Sequence, residues 1–166
     1  MKHYKLPLLG FALVLLIASC RKEDVRQTNE VDSITSGTAT KAQWNSFGTW
    51  ENSKAENVTT YYSKVADSSI TTDVVNAGMV LVYKKSGNEI QSLPFQEKGS
   101  KTYWYYQASK GSVRINSDNN DGQNLSAQSF TYYIVTPQQL SNLEANGKTK
   151  FDLLQMSFEQ AASLLK

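Results

Sequence analysis

Short runs of strand-forming residues, separated by turn residues about every ten positions, restrict the fold of this chain more than any other feature. The runs begin at Trp44 and continue to residue 135. The clearest of them, MVLVY at residues 79–83, is apolar at every position. Because successive side chains of a strand point to opposite faces, both faces of this run must be covered, which predicts a central strand.

The other runs predict antiparallel pairs of strands. A turn at residues 86–88 leads into a run at 89–95, where Pro94 indicates a sheet edge or a bulge. Consecutive strands are expected to pair as a meander. Further strands are predicted at residues 102–107, 113–115 and 130–135.

Short helices are predicted beside the strands, at residues 73–77, 138–145 and 158–165. Thr72 is suited to cap the first of them. Ser157 and Gln160 have the spacing of a capping box at the start of the last. The expected fold class is therefore all-β: an antiparallel β-sandwich, immunoglobulin-like or jelly-roll-like, with short C-terminal helices.

The start of the chain has the layout of a signal peptide. Residues 1–5 are basic, and residues 6–18 form an almost unbroken apolar run. This run is too short for the roughly 20 apolar residues that a membrane-spanning helix needs, so a permanent transmembrane helix is the weaker interpretation. We expect residues 1–19 to be a leader that processing removes.

Small residues stand directly before the only cysteine of the chain, in the stretch IASC at residues 17–20. Behind such a leader, this stretch resembles the bacterial lipobox. The resemblance implies that Cys20 is acylated and becomes the first residue after cleavage. Two or three acyl chains give stable anchoring, whereas a single chain binds a membrane only marginally. Cys20 is thus the predicted lipid attachment point, and an ordinary secretory cleavage site is the alternative.

The residues after Cys20 indicate a tether and a destination. Residues 21–42 are polar and too poor in large apolar side chains to form a core. Lys22, Glu23 and Asp24 resemble the export signal that sends lipoproteins of Bacteroidota to the outer face of the outer membrane, which implies display at the cell surface; a periplasm-facing leaflet is the alternative. The predicted division is a lipoprotein signal peptide at 1–19, a lipidated cysteine with a disordered tether at 20–42, and a β-sandwich domain with a C-terminal helical segment at 43–166.

A longer resemblance covers roughly residues 69 to 136. The stretch SITTDVVNAGMVLVYKKSGNEIQSLPFQ, the tyrosine-rich strand after it and the final SFTYYIV are similar to small uncharacterised lipoproteins of Bacteroidota. These share the succession of helix, glycine, strand, turn, strand and Leu-Pro. The resemblance implies an anchored lipoprotein with a single β-sandwich domain, and it implies no activity.

The composition argues against several classes of function. The only histidine is His3, in the leader, and the only cysteine is Cys20, so the processed domain lacks the residues of Ser-His-Asp and Cys-His catalysis. Its acids are scattered, which does not suggest a glycosidase pair. Without Lys2 and Lys5, the 17 basic residues fall to 15, which equals the 15 acidic ones. We therefore expect no enzyme, no cofactor and no nucleic-acid partner.

The loop SDNNDGQN at residues 117–124 resembles a calcium loop in its first half. Ser117, Asn119 and Asp121 occupy the first, third and fifth positions. The twelfth position is Gln128 rather than a glutamate, and no predicted helices flank the loop. Turn chemistry explains an Asn-, Asp- and Gly-rich loop between strands, so the expected reading is a structural turn with no metal, and a weak cation site is the alternative.

The tyrosine-rich strand TYWYYQ at residues 102–107 is the candidate binding segment. Tyr103 and Tyr105 point to one face and Trp104 and Tyr106 to the other, so one pair must lie outside the core. We expect the exposed pair to be Trp104 and Tyr106. The same question arises for four other tyrosines, Tyr61, Tyr62, Tyr132 and Tyr133. The alternative is cross-strand aromatic pairing that only stabilises the sheet. The expected function is a non-catalytic binding module, anchored to the membrane through Cys20, for a glycan or a protein. The alternative is a structural or accessory part of a cell-envelope complex.

Overall fold

The computed structural model describes residues 39–165, apart from Ala42, Phe47, Gly48 and Gln123. The predicted signal peptide, Cys20, the export signal and most of the predicted tether lie outside the described residues. In the part of the chain that the structure describes, no helix is long and apolar enough to cross a membrane.

The described residues form ten strands in two antiparallel sheets. The first five strands are β1 (Thr40–Lys41), β2 (Asn45–Ser46), β3 (Glu51–Ala55), β4 (Val58–Ala66) and β5 (Met79–Ser86). The other five are β6 (Glu89–Ser92), β7 (Phe95–Gln96), β8 (Tyr103–Ser109), β9 (Ser112–Asp118) and β10 (Ser129–Val135).

Four α-helices accompany the strands of the described chain, together with a 3₁₀ turn at Leu125–Ala127. The last three of these α-helices each begin with a capping box. In a capping box, two residues of the first turn exchange hydrogen bonds between the side chain of one and the backbone N–H of the other. The helices are α1 (Thr72–Ala77), α2 (Pro137–Ala145), α3 (Lys150–Leu154) and α4 (Phe158–Leu164).

The two sheets pack as a β-sandwich, which confirms the predicted fold class. In one sheet the order is β1, β10, β5, β6, with β2 also paired to β10. In the other the order is β3, β4, β9, β8, β7. We call them the middle sheet and the outer sheet, because helices cover the far side of the first, whereas the far side of the second carries exposed residues.

The middle sheet is buried on both faces. Val80 and Val82 of β5 join the cluster between the two sheets. The alternate residues, Leu81 and Tyr83, pack against a second cluster with side chains of the C-terminal helices. Leu153 of α3 is fully buried there. The sequence prediction that residues 79–83 form a central strand is therefore confirmed, and the helices explain the second apolar face.

The predicted meander is wrong, because the described part of the chain changes sheets four times, after β2, β4, β6 and β9. β6 ends at Ser92 on the edge of the middle sheet, and β7 begins at Phe95 in the outer sheet. Pro94 thus marks a crossing between sheets rather than a bulge in one strand. After β9, the chain returns to the middle sheet, where Tyr132 of β10 pairs with Val82 of β5.

Two boundaries and one helix also differ from the sequence prediction. Thr71, not Thr72, caps α1, since its side chain accepts a hydrogen bond from the Val74 N–H. The middle sheet includes Thr40 and Lys41, which lie within the predicted tether. The sequence prediction did not include α3, although Thr149 and Asp152 form a capping box at its start.

The contact between α3 and the middle sheet gives a direct test of the layered arrangement. Leu153→Ala should lower the free energy of unfolding by about 2–5 kcal/mol, because it leaves a cavity in a fully buried site. Leu154→Ala is the matched control on the same helix: its side chain is 37% exposed, and the loss should be below about 1 kcal/mol. Urea unfolding monitored by tryptophan fluorescence measures both, and equal losses would contradict the arrangement.

Candidate functional site: the tyrosine face and the end pocket

The tyrosine-rich strand β8 turns Trp104 and Tyr106 into the core. Trp104 is 1% exposed, and its ring lies 5.7 Å from that of Phe130 in the opposite sheet. The Tyr106 hydroxyl donates a hydrogen bond to the Val80 carbonyl oxygen across the sandwich. The expectation that these two residues form an exposed pair is therefore wrong.

The register of the β8–β9 hairpin explains this orientation. Ser109 pairs with Ser112, so the loop between the strands has only two residues, Lys110 and Gly111. This register places Tyr106 opposite Ile115, which is fully buried. Since paired residues lie on the same face of a sheet, Tyr106 and its alternate neighbour Trp104 must face the core.

Tyr103 and Tyr105 consequently lie on the far side of the outer sheet. Their rings stack, with centroids 5.7 Å apart and planes 25° from parallel. Tyr103 is 39% exposed. Asn116 is paired with Tyr105 on one side and with Tyr62 on the other. We call the surface formed by Tyr62, Tyr103, Tyr105, Arg114 and Asn116 the tyrosine face.

Asn116 forms the floor of the tyrosine face. Asn116 lies on the far side of the outer sheet, yet it is only 1% exposed. The larger side chains on either side of it cover it. The Arg114 guanidinium lies 3.8 Å from the centre of the Tyr62 ring, a close cation–π contact. Among the described residues, Arg114 makes no ion pair. The surface therefore combines aromatic rings with a cation that can still donate hydrogen bonds.

Carboxylates hold the phenol groups at the border of the tyrosine face. The Tyr62 hydroxyl donates to Glu51 at 2.7 Å, and the Tyr105 hydroxyl donates to Asp118 at 3.4 Å. The hydrogen bond to Glu51 raises the pKa of Tyr62. Burial, followed by the charge of Asp118, raises the pKa of Tyr105. Both phenols are therefore neutral at physiological pH, and their hydrogen bonds fix the orientation of the rings.

Of the four other tyrosines that the sequence singles out, three do not join this surface. Tyr132 is buried between the sheets, where its hydroxyl donates to Asp67 at 2.7 Å. Tyr133 is buried on the other face of the middle sheet and packs against Phe158. Tyr61 packs against the cluster between the sheets. Of these positions, Tyr62 alone belongs to the tyrosine face.

A polar pocket of about 440 Å³ opens at one end of the sandwich. We call it the end pocket. Thr102 and Asn119, at the ends of β8 and β9, are part of its wall, and Gln128 closes the side before β10. Its polar lining consists of Ser86, Glu97, Ser100, Thr102, Asn119, Asn120, Asp121, Asn124 and Gln128.

A buried lysine supports the end pocket from inside the sandwich. Lys84 follows Val80 and Val82 on the inward face of β5 and is 4% exposed. Its Nζ lies 3.4 Å from Oε1 of Glu97 and 4.7 Å from the centre of the Trp104 ring. The Trp104 indole N–H donates to the same oxygen at 2.7 Å. This group was not predicted from the sequence, although the alternation of β5 points Lys84 inward.

The loop at residues 117–124 serves the structure as a turn and as pocket wall. Asn120 accepts a hydrogen bond from the Gly122 N–H and donates one to Ser117, which is the turn chemistry that the sequence indicated. Among the described residues, no three His, Cys, Asp or Glu side chains gather as metal ligands.

The buried ammonium of Lys84 should make stability depend on pH in a defined direction. Burial lowers its pKa, against the opposing attraction of Glu97. The unfolded chain therefore holds the proton more tightly than the folded one, so stability should rise as the pH approaches about 10.5, the ordinary lysine value.

The test compares the chain with Lys84→Met in urea unfolding between about pH 7 and 10. The tyrosines titrate in both proteins. Their contribution to the pH dependence therefore largely cancels when the two free energies of unfolding are subtracted. The chain should gain stability relative to the variant as pH rises. A difference that stays constant or falls with pH would show that Lys84 is not buried as an ammonium ion.

Comparison of the chain with protein-family models, with curated proteins and with solved structures finds no match. Its function is therefore argued from the tyrosine face, the end pocket and the sequence features of the N-terminal region.

Proposed function

We propose that this chain is a lipid-anchored, surface-displayed binding module without catalytic activity, and that it holds a glycan on the tyrosine face. One observation carries the proposal: on the free face of the outer sheet, the exposed ring of Tyr103 stacks on the half-buried ring of Tyr105. Solvent-exposed aromatic side chains on the surface of a folded domain are typical of recognition surfaces.

The composition of the tyrosine face favours a glycan. A sugar ring offers apolar C–H groups to an aromatic ring and hydroxyl groups to polar neighbours. Tyr103 and Tyr105 supply the rings, and Arg114 supplies hydrogen-bond donors one strand away. Because the sheet holds these side chains in a fixed register, little conformational entropy is lost when a ligand binds.

The N-terminal sequence supports the proposed location. A basic start, an apolar run and small residues before Cys20 form a leader and a lipobox-like site. The stretch Lys22 to Asp24 supports transport to the cell surface. The absence of catalysis is proposed from composition, since His3 and Cys20 are the only histidine and cysteine of the chain.

A second candidate function is assembly within a cell-envelope complex. Phe151 is 70% exposed and Leu154 is 37% exposed, one turn apart on α3. Exposed apolar side chains at this spacing can dock on a partner protein. This surface lies on the helix side of the middle sheet, whereas the tyrosine face lies on the far side of the outer sheet, so separate substitutions distinguish the two functions.

The double substitution Tyr103→Ala with Tyr105→Ala tests the proposed glycan site. We expect it to weaken binding on a glycan array by on the order of tenfold or more, because the stacking surface is lost. Thermal unfolding should change little, since these side chains lie on the outer surface of the sheet. The measurement is array binding of the two proteins at several concentrations.

Phe151→Ala is the matched control, since it removes an exposed aromatic ring from the other side of the domain. It should leave glycan binding unchanged. Loss of binding in the control, or unaltered binding in the double variant, would contradict the assignment of the tyrosine face. An array on which the unaltered chain binds no glycan would contradict the proposed function itself.

The anchor is tested by expressing the full chain and its Cys20→Ala variant in a bacterium that carries the lipoprotein export system of Bacteroidota. Mass spectrometry should find an acylated N-terminal peptide beginning at Cys20 in the first and none in the second. Protease treatment of intact cells should release the domain. Acylation combined with full protection from protease would place the domain in the periplasm and overturn surface display.

A further inference from the structure

We propose that the end pocket is a second carbohydrate site, which takes a single neutral sugar unit. The inference rests on the proposed function only in the class of ligand, because the end pocket and the tyrosine face share no residue. Three observations carry it. They are the size and lining of the pocket, an unsatisfied buried hydrogen-bond acceptor at its wall, and the charges of the lysine and the carboxylates at the pocket.

The end pocket has the size of a small-ligand site and a polar lining. Its volume of about 440 Å³ falls within the range of roughly 300–1,000 Å³ that is typical of such sites. Hydroxyl and amide side chains dominate its lining, among them Ser100, Thr102 and Asn119. Each of these groups can donate and accept hydrogen bonds, as the hydroxyls of a sugar can.

Gln128 carries an acceptor without a partner at the pocket wall. Its Oε1 is buried and accepts no hydrogen bond, although buried polar atoms are normally satisfied. Its Nε2 donates to the carbonyl oxygen of Asn124 at 3.3 Å, which fixes the assignment of the two amide atoms. Gln128 is itself part of the pocket lining, so this unsatisfied Oε1 belongs to the pocket wall. A ligand hydroxyl that donates there would relieve the unsatisfied acceptor.

The charges at the end pocket favour a neutral ligand. Lys84 Nζ lies 3.4 Å from Glu97 Oε1 and offsets the charge of that carboxylate. Asp121 also lines the pocket, and its negative charge disfavours an anion. A neutral molecule with several hydroxyl groups avoids this repulsion, and it uses the donors and acceptors of the amides.

The end pocket lies beside the tyrosine face along the chain. Thr102 lines the pocket, and the next residue, Tyr103, belongs to the tyrosine face. Similarly, Asp118 borders the face and Asn119 lines the pocket. The two sites therefore adjoin at the start of β8 and at the end of β9.

The Trp104 indole N–H provides a direct probe, because it donates to Glu97 within the pocket. We would record the indole and side-chain amide resonances of the ¹⁵N-labelled full chain while adding glucose, galactose, mannose, xylose or N-acetylglucosamine separately. At least one of these sugars should shift the signals of Trp104 and Gln128. The indole of Trp44, which packs on the helix side against Phe158, should stay in place.

Gln128→Met is the decisive variant, since it keeps the side-chain length and removes the unsatisfied acceptor. It should weaken binding of that sugar by on the order of tenfold. Its unfolding midpoint should be equal to or above that of the unaltered chain, which a purely structural role for Gln128 would not produce. Unchanged sugar affinity in Gln128→Met would overturn the inference, as would the absence of any shift at Trp104.

The two sites can fail independently. Sugar-induced shifts at Trp104 that persist in the Tyr103→Ala, Tyr105→Ala variant support the end pocket, even if the array shows no glycan binding by the tyrosine face. Array binding that depends on the tyrosines, together with no shift at Trp104 with any of the five sugars, overturns the end pocket and leaves the proposed function standing.

Discussion

Burial of β5 on both faces is the constraint on which the rest of the domain depends. Val80 and Val82 require the outer sheet on one side, and Leu81 and Tyr83 require a second cover on the other. The C-terminal helices provide that cover, so the middle sheet has no free face. The outer sheet, by contrast, needs to bury only one face, and its far side is left for exposed residues. The position of the tyrosine face thus follows from the packing of a strand in the other sheet.

The central strand and the fold class could be predicted because they follow from local sequence. A run of five apolar residues has few alternatives to a central strand, and capping boxes mark helix starts within four residues. The strand at Thr40–Lys41 could not be predicted in the same way. Thr40 and Lys41 join the sheet through backbone pairing with β10, which leaves no apolar pattern in the sequence.

The orientation of β8 was wrong in the sequence analysis, although the sequence held the information. A two-residue hairpin loop at Lys110 and Gly111 fixes the register of β8 against β9. Val113 and Ile115 are core residues of β9. Because Tyr106 pairs with Ile115, its side chain must point to the same side of the sheet. The ion pair of Lys84 with Glu97 was harder to foresee, because it depends on the crossing of the chain between sheets.

Selective nitration of tyrosine tests the central claim, which is that the outer sheet presents its Tyr103 side to solvent. The folded chain would be treated with tetranitromethane and its peptides analysed by mass spectrometry over time. We expect Tyr103 to react early, and Tyr83, Tyr106 and Tyr132 to be protected until the domain unfolds. Reaction of Tyr106 or Tyr132 as fast as Tyr103 in the folded chain would contradict the account.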